Sequence, residues 1–456
     1  MDTPIYDFIE NYKSSNISRF HMPGHKGHKF IGCEDADITE IEGADVLSMA
    51  DGIIARSQAN ASRLFCTGQT FYSTEGSSLC IKAMLMSVLI DTRLKERCGR
   101  KYVLAARNVH RSMIDACALI DIDVKFIGCM ASSSICNSSI LPDDVERYLK
   151  NLEKNGKKNY PMAVYITSPD YLGNIADIAG IAAICERYFI PLVVDNAHGA
   201  YLAFLEKNLH PIKLGAAMCC DSAHKTLPVL TGGAYLHIAE KYKERYTEFA
   251  KKSLALFGST SPSYLILQSL DLCNRYISDG YKDKLKDCID SIDKVKNYLK
   301  QNKIPVLDTE PLKIVINMAK IGYTGFEAKN SMRKYGIECE YADYQFVVLM
   351  ATPENTSIDF ERIKKWGSSI RRKDSLKLPQ VCNTAPERKL TIREAVIAPS
   401  EIIDIKDSVG RICAQETVSC PPAIPIVVCG EVINENTVKL LEMYNIKNVC
   451  VVSLVK

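Results

Sequence analysis

The chain has 456 residues, 47% of them hydrophobic and 24% charged, with a formal net charge of +3. That length exceeds one ordinary compact core and sets two or three domains as the expectation. The absence of any basic run argues against nucleic acid as a partner, and no run of 18 uninterrupted apolar residues offers a membrane span.

The eighteen cysteines are scattered, and none forms a Cys-x-x-Cys pair. Many, such as Cys80, Cys117, Cys185 and Cys219, sit in apolar segments. Reduced thiols in a cytoplasmic protein are therefore expected. The N-terminus, Met1-Asp2-Thr3-Pro4, lacks the charged-then-apolar pattern of a signal peptide.

Residues 2–12 read as a short helix, with Thr3 as its cap and Pro4 in its first turn. The next stretch, Arg19 to His28, places His21, His25 and His28 within eight residues. Pro23 and two glycines make it a loop. No Cys or carboxylate falls at ligand spacing, so a substrate-facing or interface loop is expected rather than a metal site. Residues 37–75 are mixed and define no element. Ser73-Thr74-Glu75-Gly76-Ser77-Ser78 then runs into the apolar-periodic segment Leu79 to Ile90. Small residues opening a helix expose N–H groups and hydroxyls at its positive end, where a phosphate binds well. No Gly-x-x-x-x-Gly-Lys is present, so a nucleoside triphosphate loop is not indicated.

From 100 to 240 strand-like and helix-like runs alternate. Strands are expected at Tyr102–Ala106, Val124–Ile127, Ala163–Thr167, Leu192–Asp195, Ala216–Cys220 and Gly233–His237. Helices are expected at Met113–Leu119, Asp144–Leu152 and Ala179–Tyr188. Apolar strands between helices imply a parallel or mixed sheet covered on both faces, with ligands beyond the carboxyl ends of the strands. His110, Asp195 and Lys225 fall at or just past such ends. Residues 263–300 read as largely helical. Lys313–Met318 and Phe346–Ala351 read as strands flanking a helix at Gly325–Tyr335, an α+β pattern. A charged linker, 371–383, leads to a last segment in which Pro421 to Glu431 is turn-rich and then strand-like.

The stretch Cys219-Cys220-Asp221-Ser222-Ala223-His224-Lys225-Thr226-Leu227-Pro228 organises these parts. A strand delivering Ser, His and Lys to its end suits a reactive amine, which forms a Schiff base with an aldehyde once its pKa is lowered. Thirty residues earlier Asp195 closes an apolar strand. A phosphate cup, a buried carboxylate and a lysine are what pyridoxal phosphate requires. Its phosphate takes a helix N-terminus, its ring nitrogen a carboxylate and its aldehyde an amine. An imidazole such as His110 could stack on the ring.

Several motifs then identify a resemblance. They are Thr3-Pro4-Ile5-Tyr6-Asp7, Phe20-His21-Met22-Pro23-Gly24-His25-Lys26-Gly27 and Arg107-Asn108-Val109-His110-Arg111-Ser112. With them stand Thr167-Ser168-Pro169-Asp170-Tyr171-Leu172-Gly173, Asp195-Asn196-Ala197-His198-Gly199-Ala200 and Ser222-Ala223-His224-Lys225-Thr226-Leu227-Pro228. Ser259-Thr260-Ser261-Pro262-Ser263-Tyr264 and the Pro421–Glu431 stretch complete the set. Spread over nearly the whole chain, they make it resemble the Orn/Lys/Arg decarboxylases, a family of fold type I pyridoxal-phosphate enzymes. The resemblance is to the shorter members, which lack an added N-terminal receiver-like domain.

The resemblance implies an α/β fold of the aspartate aminotransferase type: a large domain with a mostly parallel sheet covered by helices, plus smaller α+β C-terminal domains. The expected divisions are an N-terminal arm and active-site loop at 1–50, a cofactor domain at 51–262, a linking helix and small domain at 263–375, and a C-terminal domain at 376–456. It further implies that Lys225 carries the cofactor as a Schiff base, Asp195 pairs with the pyridine nitrogen and His110 stacks on the ring. Ser77, Ser78, Ser222 and His224 would hold the phosphate, and His198 would lie beside the cofactor. His224 or Lys225 would return the proton to the substrate. Thr260 would reach a neighbouring subunit's phosphate, making the active unit at least a homodimer. Glu338, Glu340 and Asp343 are candidates for meeting a cationic substrate end.

Two departures stand out. Asn196 occupies a position that is often acidic in the family, but neighbouring strand residues point to opposite faces, so it need not touch the ring. Ala423 and Cys429 stand where Gly and Pro are usual. The activity implied is decarboxylation of arginine, lysine or ornithine. The alternative is another fold type I enzyme, an α-oxoamine synthase or an aminotransferase, because Asp-x-Ala-His-Gly also occurs in the former.

Overall fold

The computed structural model describes residues 1–91, 101–130, 135–136, 138–153, 160–378, 386–415 and 422–454. Pro421 and part of the charged linker expected at 371–383 lie outside the described residues. The strands in chain order are β1 (Gln69–Ser73), β2 (Tyr102–Ala105), β3 (Asp123–Phe126), β4 (Cys129–Met130) and β5 (Ser138–Ser139). They continue with β6 (Ala163–Thr167), β7 (Leu192–Asp195), β8 (Met218–Asp221), β9 (Ala234–Ile238) and β10 (Lys313–Asn317). The last are β11 (Tyr341–Ala342), β12 (Phe346–Met350), β13 (Ser400–Asp404), β14 (Cys413–Gln415) and β15 (Asn448–Val452).

The chain divides into two units, one of Met1–Lys95 with Ile178–Leu285 and one of Glu96–Asp177 with Lys286–Lys456. In the first, β1, β9, β8 and β7 lie side by side in that order. β7 and β8 run parallel, and β9 is antiparallel to both β8 and β1. Register fixes which side chains share a face, because paired residues point the same way and successive residues alternate. Thr70 pairs with His237, His237 with Cys219, and Tyr235 with both Tyr72 and Asp221. These therefore share one face. Phe71, Leu236, Cys220 and Asp195 share the other.

An aromatic cluster built on Phe65, from the helix Ile53–Phe65, packs on the first face. Its ring centroid lies 4.7 Å from His237, 5.0 Å from Phe204 and 5.3 Å from Tyr235. The other face is covered by the helix Gly76–Ile90, whose Leu79, Cys80, Ala83 and Met84 are buried. That helix is apolar nearly all round, as a helix buried between layers must be.

In the second unit β6, β2 and β3 pair in parallel. The antiparallel sheet β10-β12-β11 carries the helices Gly325–Arg333 and Ser357–Ser369. A further antiparallel sheet, β13-β15-β14, closes over Val427, Ile433, Leu441 and Val451. The first of those helices opens with a capping box between Thr324 and Glu327.

Three expectations need correction. Thr3 does stand at the cap of the helix Pro4–Ser14, but its hydroxyl donates to Asp7. Asp271 does the capping instead, accepting from the Ile5 and Tyr6 N–H groups at 2.9 and 3.0 Å. Residues 37–75, which suggested no element, contain the helix Ile53–Phe65 and β1. The helix lacks a side-chain cap, and β1, Gln69-Thr70-Phe71-Tyr72-Ser73, is not a continuous apolar run, so neither carries a local signal. The strand expected at the end of Pro421–Glu431 does not form; Val427, Val428 and Cys429 are buried in a turn-rich loop. There a side chain replaces the ladder, since the Val428 N–H donates to Glu431 Oε2 at 2.8 Å.

Candidate active site

β7 and β8 end side by side, and the residues just past their ends form the centre of the site. Asp195, the last residue of β7, is 2% exposed. Its Oδ1 accepts from the Ala197 N–H at 3.2 Å and from the Cys220 thiol at 3.7 Å. Beyond β8, Ser222 leads into a single helical turn, Ala223–Thr226, so Lys225 sits on that turn and not on the strand. Lys225 Nζ lies 3.0 Å from His198 Nε2. An ammonium donates, so Nε2 serves as the acceptor.

His224 Nδ1 lies 2.9 Å from the Gly233 carbonyl. A carbonyl only accepts, so the proton is on Nδ1 and the neutral ring presents a lone pair at Nε2. Burial lowers the His224 pKa, the hydrogen bond to Gly233 opposes that, and the Lys225 charge adds to the lowering.

The N-terminus of the helix Gly76–Ile90 approaches the same turn. The Ser222 hydroxyl donates to the Ser77 hydroxyl at 2.8 Å. Ser78 follows in the first turn of that helix, partly exposed like Ser77. Gly76 has a φ of +71°, and a Cβ there would meet nothing within 4 Å, which leaves room over the helix end. Thr260 lines a cavity of about 560 Å³ together with Thr74, Glu75, Gly258 and Ser259.

His110 belongs to the second unit, where it caps the helix Arg111–Ile120. Its Nδ1 accepts from the Ser112 N–H at 3.1 Å. The loop before it is seated by residues that sequence reasoning gave no role. Arg107 makes two hydrogen bonds to Glu431, at 2.5 and 2.6 Å, with both residues buried. The Arg111 N–H donates to the Ala423 carbonyl at 2.8 Å. Both Arg107 and Glu431 fall within quoted motifs, but their pairing across 324 positions has no local signal.

The remaining candidates separate clearly. Glu338 is paired with Arg333 at 2.8 and 2.9 Å on an exposed surface. Asp343 is buried, and its carboxylate accepts from the Tyr341 hydroxyl and from the Gln345 and Phe346 N–H groups. Glu340 accepts from the Tyr171 hydroxyl at 3.0 Å. In the histidine loop, His21 Nε2 lies 2.6 Å from the Tyr12 hydroxyl and His25 Nε2 lies 3.2 Å from Asp37.

Comparison with known proteins decides the family. Residues 3–328 match the Orn/Lys/Arg decarboxylase major domain, and residues 377–448 match the C-terminal domain of the same family. The chain belongs to the Orn/Lys/Arg decarboxylase family. It is 27% identical to the arginine decarboxylase of Halalkalibacterium halodurans, over 97% of this chain and 93% of that one. It is 26% identical to the arginine decarboxylase of Bacillus subtilis, over 96% and 93%. In fold it is similar to the Francisella novicida lysine decarboxylase LdcF, with a TM-score of 0.81 at 15% identity, covering 99% of this chain and 81% of that one.

The fold is that of the fold type I pyridoxal-phosphate enzymes, and the cofactor of this Orn/Lys/Arg decarboxylase family member is pyridoxal 5′-phosphate. The donor set suits that group. An amine, a buried carboxylate and a pair of hydroxyls at a helix N-terminus would suit, in turn, an aldehyde, a ring nitrogen and a phosphate. Among the described residues no helix is long and apolar enough to cross a membrane.

Proposed function

We propose that this chain decarboxylates a basic amino acid, arginine, lysine or ornithine, to agmatine, cadaverine or putrescine. The observation that carries the reading is the Lys225 amine 3.0 Å from His198, one turn past the strand that runs beside Asp195. When bound, pyridoxal phosphate supplies an electron sink for the bond to the departing carboxylate. The chain's own residues do the rest. Lys225 would hold the aldehyde, and His198, 3.0 Å from its amine, would orient it. Asp195 would keep the ring nitrogen protonated, and His110 would stack on the ring. Ser77, Ser78, Ser222 and His224 hold the phosphate.

His224 Nε2, a lone pair in the neutral ring, gains a proton before it can return one to Cα; Lys225 is the other carrier for that step. Thr260 reaches the phosphate of a second subunit, so the working unit is at least a homodimer. We place the enzyme in the cytoplasm, in polyamine formation. The arginine decarboxylases among its relatives support arginine as the first substrate to test.

The experiment is a product assay on the purified protein with each of the three amino acids. Agmatine, cadaverine or putrescine should appear with carbon dioxide and without any acyl or keto partner. Lys225→Ala should abolish both turnover and the visible absorbance of lysine-bound cofactor. An amine product that persists in Lys225→Ala, or turnover only with an acyl or keto partner, would refute the reading.

A further inference from the structure

A second carboxylate lies directly behind the site, and the proposed function gives it no task. Asp221, the last residue of β8, is fully buried on the sheet face opposite Asp195. One oxygen accepts from Asn196 Nδ2 at 2.7 Å. The other lies 3.0 Å from His210 Nε2 and 3.3 Å from His237 Nε2. His237 Nδ1 is in turn 2.9 Å from the Thr70 hydroxyl. Asn196 follows Asp195 directly, and Asp221 precedes Ser222 directly. The two strand ends are also joined by the Asn196 N–H and the Cys220 carbonyl at 2.9 Å.

We propose that Asp221 is a positioning residue: with Asn196, His210 and His237 it forms a buried clamp that fixes the end of β7, and so Asp195, against the turn carrying Ser222 and Lys225. The clamp explains why residue 196 is an amide. An acid there would set a second carboxylate against Asp221 at hydrogen-bonding distance in a fully buried place, where neither charge is well screened. The proposal rests on the assignment of Lys225 and Asp195 to the cofactor, and its tests separate the two.

Asp221→Asn, Asn196→Asp and the exchanged pair Asn196→Asp/Asp221→Asn are compared as apo-protein. Each is titrated with pyridoxal phosphate and melted with and without it. Asp221→Asn should weaken cofactor affinity by about tenfold or more and reduce the melting shift that cofactor produces, while the lysine-bound absorbance still forms at saturation. Asn196→Asp should be at least as weak. The exchanged pair restores one acid and one amide, and its affinity should return to within about threefold of the parent. An exchanged pair no better than the worse single variant overturns the clamp, as does unchanged affinity in Asp221→Asn.

If Asp221→Asn does not fold, the exchanged pair decides. Recovery of a folded, cofactor-binding protein supports the proposal, and failure to recover overturns it. The Cys219 thiol lies 3.8 Å from His210 Nε2, so a metal ion held by His210, Cys219 and Asp221 is the competing account. Cys219→Ser should leave affinity unchanged; its loss, with stoichiometric metal in the parent protein, sinks the clamp. Lysine-bound absorbance surviving in Lys225→Ala would sink the site assignment instead.

Discussion

At the scale of single residues, Ala423 departs from its family's usual glycine at a position where the backbone penalises the change. Its φ is +54°, in the left-handed region where a Cβ crowds the following carbonyl. The strain is held because its own carbonyl receives the Arg111 N–H next to His110. Ala→Gly normally destabilises by freeing the unfolded chain. Here relief of the left-handed penalty should outweigh that loss, so Ala423→Gly should stabilise the protein by up to about 1 kcal/mol. Urea unfolding of the two proteins measures it. A glycine variant less stable than the parent would show that the turn carries no strain at this position. At the other departure, the Asn196 amide donates to Asp221 Oδ1 at 2.7 Å.

At the scale of elements, the turn 422–431 takes the place of a strand and is held by side chains. Arg107 and Glu431 form a two-pronged ion pair in a buried place, with Arg388 Nη2 3.8 Å from the same carboxylate. Burying two charges offsets most of their attraction, but removing one leaves the other stranded. Arg107→Met should therefore cost about 3–5 kcal/mol. The double change Arg107→Met/Glu431→Gln should recover most of it, because it buries no charge and keeps an acceptor for the Val428 N–H. Chemical unfolding of the cycle gives the coupling, and additive losses would mean that the pair does not act as a unit. This pair also marks where sequence reading stops. Strands such as β6 and β7 were legible because each is a short apolar run bounded by turn residues. The placement of Asp195 and Lys225 at the ends of neighbouring strands was legible because apolar runs stop just before them. Nothing local joins residue 107 to residue 431, and Val427 to Cys429 read as a strand because apolar runs look alike whether a ladder or a carboxylate satisfies their backbone. His210 escaped notice for the same reason: its partner, Asp221, is defined by the register of a sheet.

Across the whole molecule, stability should depend on pH in a way set by groups held away from their ordinary ionisation. His224 and His237 both have pKa values lowered from 6.5, chiefly by burial. Asp221 is the reverse: burial alone would raise its pKa, but the His210 and His237 imidazoles and their hydrogen bonds hold its carboxyl well below the usual range. The unfolded chain takes up protons on these histidines near pH 6.5, whereas the folded chain does not. Proton uptake by the unfolded state therefore draws stability down as pH falls through that value. The contribution of Asp221 is fully present above about pH 4 and is lost only in stronger acid, so it does not enter this window. Asp271, raised to about 6 by burial despite its hydrogen bonds to Ser57, Tyr6 and Ile5, works in the opposite sense. It retains its proton in the folded chain and adds stability as pH drops from about 6 towards 4. The melting temperature of the apo-protein should thus fall as pH drops through about 6.5, with Asp271 opposing that fall below about 6. His224→Asn should shallow that fall, because an amide cannot titrate. Thermal melts at half-unit pH steps test this. An unchanged slope in His224→Asn between pH 7.5 and 6 would mean that the imidazole titrates alike in the folded and unfolded chain, and that it is free to be charged in the site at neutral pH.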